Sequence, residues 1–162
     1  MMNWTNSVIN LRRSLEFGKK VYVMGIINCT PDSFYSESRK ETLEAALDTA
    51  RDMEAAGVDI LDIGGESSRP GAAEVPPEEE LKRVIPVIEG IRKNSDILIS
   101  LDTYKPVTAA RALEAGVDMI NDIYALRDNK SMGEVIARWK VPVIMMHMQG
   151  TPQNMQKDPV YK

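Results

Sequence analysis

The sequence predicts an α/β fold built on a parallel sheet, and three observations carry that prediction. Five apolar, β-type runs recur along the chain, at 21–27, 58–63, 97–101, 117–120 and 141–146. Stretches of helical period separate most of them. Each run closes on polar residues, and in a parallel α/β fold the C-terminal ends of all strands emerge on one side.

The runs read VYVMGII, VDILDI, ILISL, VDMI and VPVIMM, apolar enough to imply burial on both faces. In 41–56, Leu43, Ala46, Leu47, Ala50 and Met53 fall on one helical face; in 78–92, Leu81, Val84, Ile85, Ile88 and Ile91 do. Met132, Val135, Ile136 and Trp139 form a shorter third stripe. Ser38 with Glu41 and Ser131 with Glu134 have capping-box spacing, and Pro77 ahead of three glutamates suits a first turn. Pro86 is expected to kink or divide the second helix, since it removes a backbone hydrogen bond and crowds the preceding turn. AGVDILDIG (56–64) and AGVDMINDI (115–123) echo one another, each with a helix-ending Gly and an Asp leading into a strand. No low-complexity segment or linker interrupts 1–162, so the chain reads as one domain.

Composition narrows the function. A chain of 162 residues that is 43% hydrophobic has the size of one ordinary globular domain. A net charge of −4 argues against a nucleic-acid surface, which needs a basic patch. The single cysteine excludes an internal disulfide framework and suits the reducing cytosol. No apolar run reaches the ~18 residues of a membrane span, and MMNWTNSVINLRR lacks a signal-peptide core. The expectation is a soluble, cytoplasmic protein with small-molecule partners, no nucleic acid and no membrane.

The polar strand ends are the candidate site. Asn28 closes the first run; Asp62 and GGESSRPG (64–71) close the second. Asp102 and Thr103 close the third, Asn121 and Asp122 the fourth, and His147 and Gln149 the fifth. Five such ends converging on one mouth describe an active site more simply than five independent turns, and the N-termini of helices that follow such loops favour an anionic ligand.

MGIINCTPDSF, DIGGESSRPGA, SLDTYKP, INDI and MHMQGTPQNMQ occur in that order, and together they resemble dihydropteroate synthase of the folate pathway over residues 20–160. The resemblance implies a TIM (β/α)8 barrel that joins p-aminobenzoate to a pterin methyl diphosphate, releases diphosphate and uses Mg²⁺. It further implies a homodimer at full length. The alternatives are a pterin-dependent methyltransferase domain, which shares the barrel and pterin pocket but has no diphosphate to hold, and a non-catalytic pterin-binding remnant.

Such a reaction needs a pocket that reads a flat heterocycle, a diphosphate clamp and an open face for a weakly nucleophilic aryl amine. By resemblance Asn28 contacts the metal; its amide oxygen is a hard ligand suited to Mg²⁺, which keeps water and phosphate as its other ligands. Arg69 is suited to bidentate contact with phosphate oxygens, and Ser68 retains a hydroxyl where the family commonly has Thr. Asp102 and Asn121 resemble the pair that reads the pterin ring, with a helix cap as the plainer role for Asp102. Phe34 and Pro31 look like the loop closing over p-aminobenzoate, and Met146 like a residue beneath the pterin, with plain core packing its alternative. His147 is read as lining the pocket and not as a base. Cys29 is read as a small packing residue.

Two departures from the family pattern are visible. Tyr35-Ser36-Glu37-Ser38 stands where Ser-Asp-Gly-Gly often follows TPDSF, displacing the loop aspartate. A (β/α)8 barrel takes roughly 250 residues, whereas these 162 supply about five βα units. The expectation is a barrel truncated before its remaining pterin-binding aspartate, lysine, arginine and histidine, inactive and self-associating on its own.

Overall fold

The computed structural model describes residues 7–8, 14–30, 39–67, 73–127, 130–151, 155 and 160. A short antiparallel pair, β1 (Ser7–Val8) and β2 (Leu15–Glu16), precedes the main sheet. There follow β3 (Met24–Asn28), α1 (Arg39–Ala55), β4 (Ile60–Gly64), α2 (Pro77–Arg92), β5 (Leu98–Asp102), α3 (Pro106–Ala115), β6 (Met119–Asp122), α4 (Lys130–Trp139) and β7 (Val143–Met145). The five later strands pair in parallel in the order β3-β4-β5-β6-β7.

The two faces of this sheet have different chemistry. Ile27, Leu61, Ile63, Ile99, Leu101 and Ile120 turn toward the helices, where they meet Ala46 and Ala50 of α1, Val84 and Ile88 of α2, Ala109 and Ala112 of α3 and Met132 of α4. Each fully buried Leu or Ile of this layer contributes about 1.5–3 kcal/mol. On the opposite face Ile60, Leu98 and Met119 begin their strands and form a smaller apolar floor, sealed by Leu15 of β2 with Tyr22 and Met24. Beyond that floor, toward the strand ends, the same face turns polar. Burial on both faces therefore holds along the central strands, β4 above all, and not along the edge strands β3 and β7.

The strands start later than the apolar runs suggest, and all but the last reach further. Val21 and Val23 are exposed and lie before β3, where Asp59 pairs with Lys20 and accepts the Val23 N–H at 2.9 Å. At the other end Asn28, Gly64, Asp102, Asn121 and Asp122 all belong to strands, so backbone pairing fixes their positions.

Two helix expectations need correction. Pro86 neither ends nor divides α2, which runs from Pro77 to Arg92; the proline is exposed, so the carbonyl it leaves unsatisfied is on the solvent side. Ser131 lies inside α4, which begins at Lys130, so the capping position falls outside the described residues, as does Ser38. Pro77 does open α2, and Glu78, Glu79 and Glu80 fill its first turn. Gly116 ends α3 at φ 110, a left-handed conformation that costs glycine little, and its carbonyl accepts from Arg92 Nε at 2.8 Å.

The sheet is open among the described residues. Ile26 on β3 is 61% exposed and Met145 on β7 is 57% exposed, and these are the two edge strands. No helix of the described residues is long and apolar enough to cross a membrane.

Candidate functional site

Strand register assembles the mouth. Asn28 pairs with Gly64, Gly64 with Asp102, and Asp102 with Asn121, so four adjacent strands contribute one row. Directly paired residues point to the same face of a sheet, which places the Asn28, Asp102 and Asn121 side chains together. Gly64 leaves the middle of the row open: a Cβ there would lie 3.6 Å from Asn28 Oδ1 and 3.9 Å from Asp102 Oδ2.

One layer deeper lie Asp62 and Ser100, themselves paired across β4 and β5. Asp62 is 4% exposed, and its Oδ2 accepts from Asn121 Nδ2 at 3.0 Å. Its Oδ1 and Ser100 Oγ have no partner within hydrogen-bond geometry. An unmatched buried carboxylate oxygen costs about 1–3 kcal/mol or more. Burial raises the Asp62 pKa, with Ser100 and Asn121 opposing the shift. Asp102 rises to about 7, first through burial and then through the negative charges of Asp62, Glu80, Asp122 and Glu66. The mouth thus holds two carboxylates that burial biases toward the protonated form, a condition that a ligand offering N–H donors would relieve.

A cleft lined by Glu66, Ser67, Glu80, Asp102, Thr103, Tyr104 and Ile123 opens beside this row. Gly65, next to Glu66, approaches α2 closely, since a Cβ there would meet Glu80 Cγ at 2.8 Å and Val84 Cγ1 at 2.9 Å. Tyr104 and Tyr124 pack edge to face with centroids 4.9 Å apart. Lys105 stands at the N-cap of α3 without any side-chain cap bond, so Asp102 does not cap that helix. Burial lowers the Lys105 pKa, but hydrogen bonds and charge from Glu66 and Glu80 outweigh it and leave the group raised.

Other residues divide between structure and mouth. Cys29 is buried and its thiol is pushed up to about 12 by burial, with Arg83 opposing, so it packs and does not attack. Asp122 accepts the N–H groups of Tyr124 at 2.8 Å and Leu126 at 2.9 Å, and so shapes the turn after β6. Met146 is half-buried just past β7, with its N–H on Asp122 O at 3.3 Å, and it is not among the residues lining the cleft. His147 is exposed. Pro31, Phe34, Ser68 and Arg69 lie outside the described residues.

Among the described residues Asn28 is a donor that suits a metal. No cluster of three or more His, Cys, Asp or Glu side chains among the described residues could hold a cation. Asn28 is exposed at the open end of the row and offers a hard amide oxygen. That fits Mg²⁺, which dehydrates reluctantly and takes few protein ligands when phosphate supplies others. The expected helix-dipole contribution is less even: α2 already meets three carboxylates in its first turn.

Glu66, Glu80, Tyr104 and Lys105 were not singled out as site members in the sequence, and Asp62 was named there only as a polar strand end. Glu66, Tyr104 and Lys105 sit inside motifs, in DIGGES and SLDTYKP. Glu80 carried no signal, because its helix position reads as an ordinary first-turn acid.

Comparison with known proteins agrees with this geometry. A model of the family described as pterin binding enzyme matches residues 24–162. The chain is 46% identical over 141 residues to dihydropteroate synthase of Synechocystis, covering 87% of this chain and 49% of that protein. Its identity to the Escherichia coli dihydropteroate synthase is 47% over 140 residues, covering 86% and 49%. Among solved structures, the Clostridium difficile dihydropteroate synthase with pteroic acid superposes with a TM-score of 0.80 at 47% identity, covering 89% of this chain and 54% of that one. The Xanthomonas albilineans enzyme with 4-aminobenzoic acid gives 0.78 at 47% identity, covering 85% and 50%. The chain spans about half the length of the curated relatives it matches. With a parallel βα sheet, a polar mouth at its strand ends and this match over most of its length, the chain belongs to the pterin-binding enzyme family.

Proposed function

We propose that this chain carries the pterin-binding mouth of a dihydropteroate synthase. The observation that carries the reading is the Asp62–Asn121–Asp102 group: a buried and a half-buried carboxylate on neighbouring strands, the buried one with an unpartnered oxygen, beside an amide. A flat heterocycle rich in ring N–H and amino donors satisfies such acceptors.

In the proposed reaction the amine of p-aminobenzoate attacks the pterin methylene carbon. The carbon–oxygen bond to diphosphate breaks, the electron pair leaves with the diphosphate, and the new ammonium loses a proton. Cationic character develops on the methylene, so a fixed negative environment and a neutralised leaving group lower the barrier. Asp102 and Asn121 orient the ring, and ionised Asp102 adds negative charge near the developing cation. Asn28 would hold Mg²⁺, which supplies neutralisation of diphosphate charge. Ser68 and Arg69 bind phosphate oxygens, Phe34 and Pro31 shield p-aminobenzoate, and Met146 packs beneath the pterin. The same reading makes the protein cytoplasmic and, at full length, a homodimer.

Calorimetry with a pterin lacking diphosphate tests the assignment. Wild-type protein should bind it, and Asp102→Asn should weaken binding by about tenfold or more, the loss expected for one charged hydrogen bond. Equal affinity in both proteins, or none in either, overturns the reading.

A further inference from the structure

Beside the mouth, Lys105 is held between two carboxylates. Its side chain is 8% exposed, pairs with Glu66 Oε2, and reaches Glu80 Oε2 at 3.0 Å. Thr108 Oγ1 donates to the same Glu80 oxygen at 3.0 Å. Glu66 is shared more widely: Oε1 accepts from the Tyr104 hydroxyl at 3.0 Å, and Oε2 also accepts the Val75 N–H at 3.1 Å. One carboxylate therefore joins the residue that leaves β4, the approach to α2 and the loop after β5. Glu80 ties this junction to α2, and Thr108 ties it to α3.

Two carboxylates and one ammonium in so buried a place contribute little net stability over an apolar packing of equal shape. What they enforce is one arrangement, because any other leaves a buried charge unpaired. That arrangement sits against the cleft, whose walls include Glu66 and Ser67 on one side and Asp102, Thr103 and Tyr104 on the other. Reading the sheet alone would miss it, since backbone pairing stops at Gly64 and Asp102 and the loops beyond have no ladder to set their separation.

We propose that Glu66, Lys105 and Glu80 form a brace of positioning residues that fixes the gap between the loops after β4 and β5 and holds Asp102 in place for its ligand. The ligand arm of this proposal rests on the pterin reading above; the structural arm does not.

Amide hydrogen exchange on the intact protein tests the structural arm. In Lys105→Met the Val75 amide should exchange about tenfold faster or more, while Leu61 and Ile99 in the core strands keep wild-type protection. The same variant should bind a diphosphate-free pterin about tenfold more weakly, and Lys105→Arg, which keeps the charge, should recover most of that affinity. Glu80→Gln leaves Glu66 and Lys105 as a balanced pair and keeps the Val75 acceptor, so it guards against simple unfolding and should also speed Val75 exchange. Unchanged Val75 exchange in Glu80→Gln and in any folded Lys105→Met overturns the brace. A fast Val75 amide with no pterin binding even in wild type would support the brace and defeat the pterin reading.

Discussion

Asn121 Nδ2 reaches across β5 to donate to Asp62 Oδ2 on β4 at 3.0 Å, joining two strands that are not neighbours in the sheet. The bond spans the inner face over the β5 residues Ser100 and Asp102, and it supports a carboxylate whose other oxygen has no hydrogen-bond partner. Removing it with Asn121→Ala leaves a buried charge without support. We predict a loss of about 2 kcal/mol in urea unfolding at neutral pH, the cost of stranding a buried acceptor. Asp62→Asn removes the charge while keeping the shape and should cost much less. Equal losses would show that packing, and not charge, is what Asn121 supplies.

Asp102 makes stability depend on pH in a definite sense. Its carboxyl is raised from 3.8 to about 7 in the fold, so between those values the folded state binds more protons than the unfolded chain. Stability contributed by this group is therefore present at low pH and lost as pH rises through about 7. Asp102→Asn should be more stable than wild type at pH ~8 by on the order of 2 kcal/mol, and nearly equal to it at pH ~4. Pterin affinity should run the other way, rising with pH as the acceptor ionises. Thermal melts and calorimetry across that range decide; a variant that is less stable at the alkaline end refutes the assignment.

The diphosphate end should separate from the ring end. Asn28→Ala and Arg69→Ala, each made in full-length protein, are predicted to reduce kcat/KM by the equivalent of about 2–4 kcal/mol, the range for losing one preorganised charge contact. Both variants should bind a diphosphate-free pterin as wild type does. If that affinity falls as far as the catalytic efficiency, Asn28 and Arg69 belong to the ring pocket instead.

Gly65 has a purely steric prediction. Ala at this position places Cβ within 2.9 Å of Val84 Cγ1 and closer still to Glu80 Cγ, and both belong to the packed face of α2. Gly65→Ala should destabilise by about 1–3 kcal/mol through overpacking, while Gly133→Ala, where a Cβ meets nothing within 4 Å, should not. Chemical denaturation of the two variants is the measure, and similar midpoints would mean that α2 yields without cost.

Much of this protein was legible from its residues alone. Apolar runs alternating with helical stripes determine a parallel βα sheet, because each pattern can bury its face in only one kind of element. The polar ends of those runs located the mouth, and Asn28, Asp102 and Asn121 were identifiable as its candidate members before any geometry was known. Tertiary structure decided what lies around them. Strand register put Asn28, Gly64, Asp102 and Asn121 in one row, and register depends on pairing between segments far apart in the chain. The sheet's inner face made Asp62 a buried acid, where the sequence showed only a polar strand end. Solvent on one side of α2 let Pro86 remain inside a continuous helix. Glu66, Glu80 and Lys105 meet only because two loops and two helices converge there. Local periodicity determines which element a segment becomes; long-range packing alone decides which charges are buried together, because burial and Coulomb energy depend on distances that sequence order does not set.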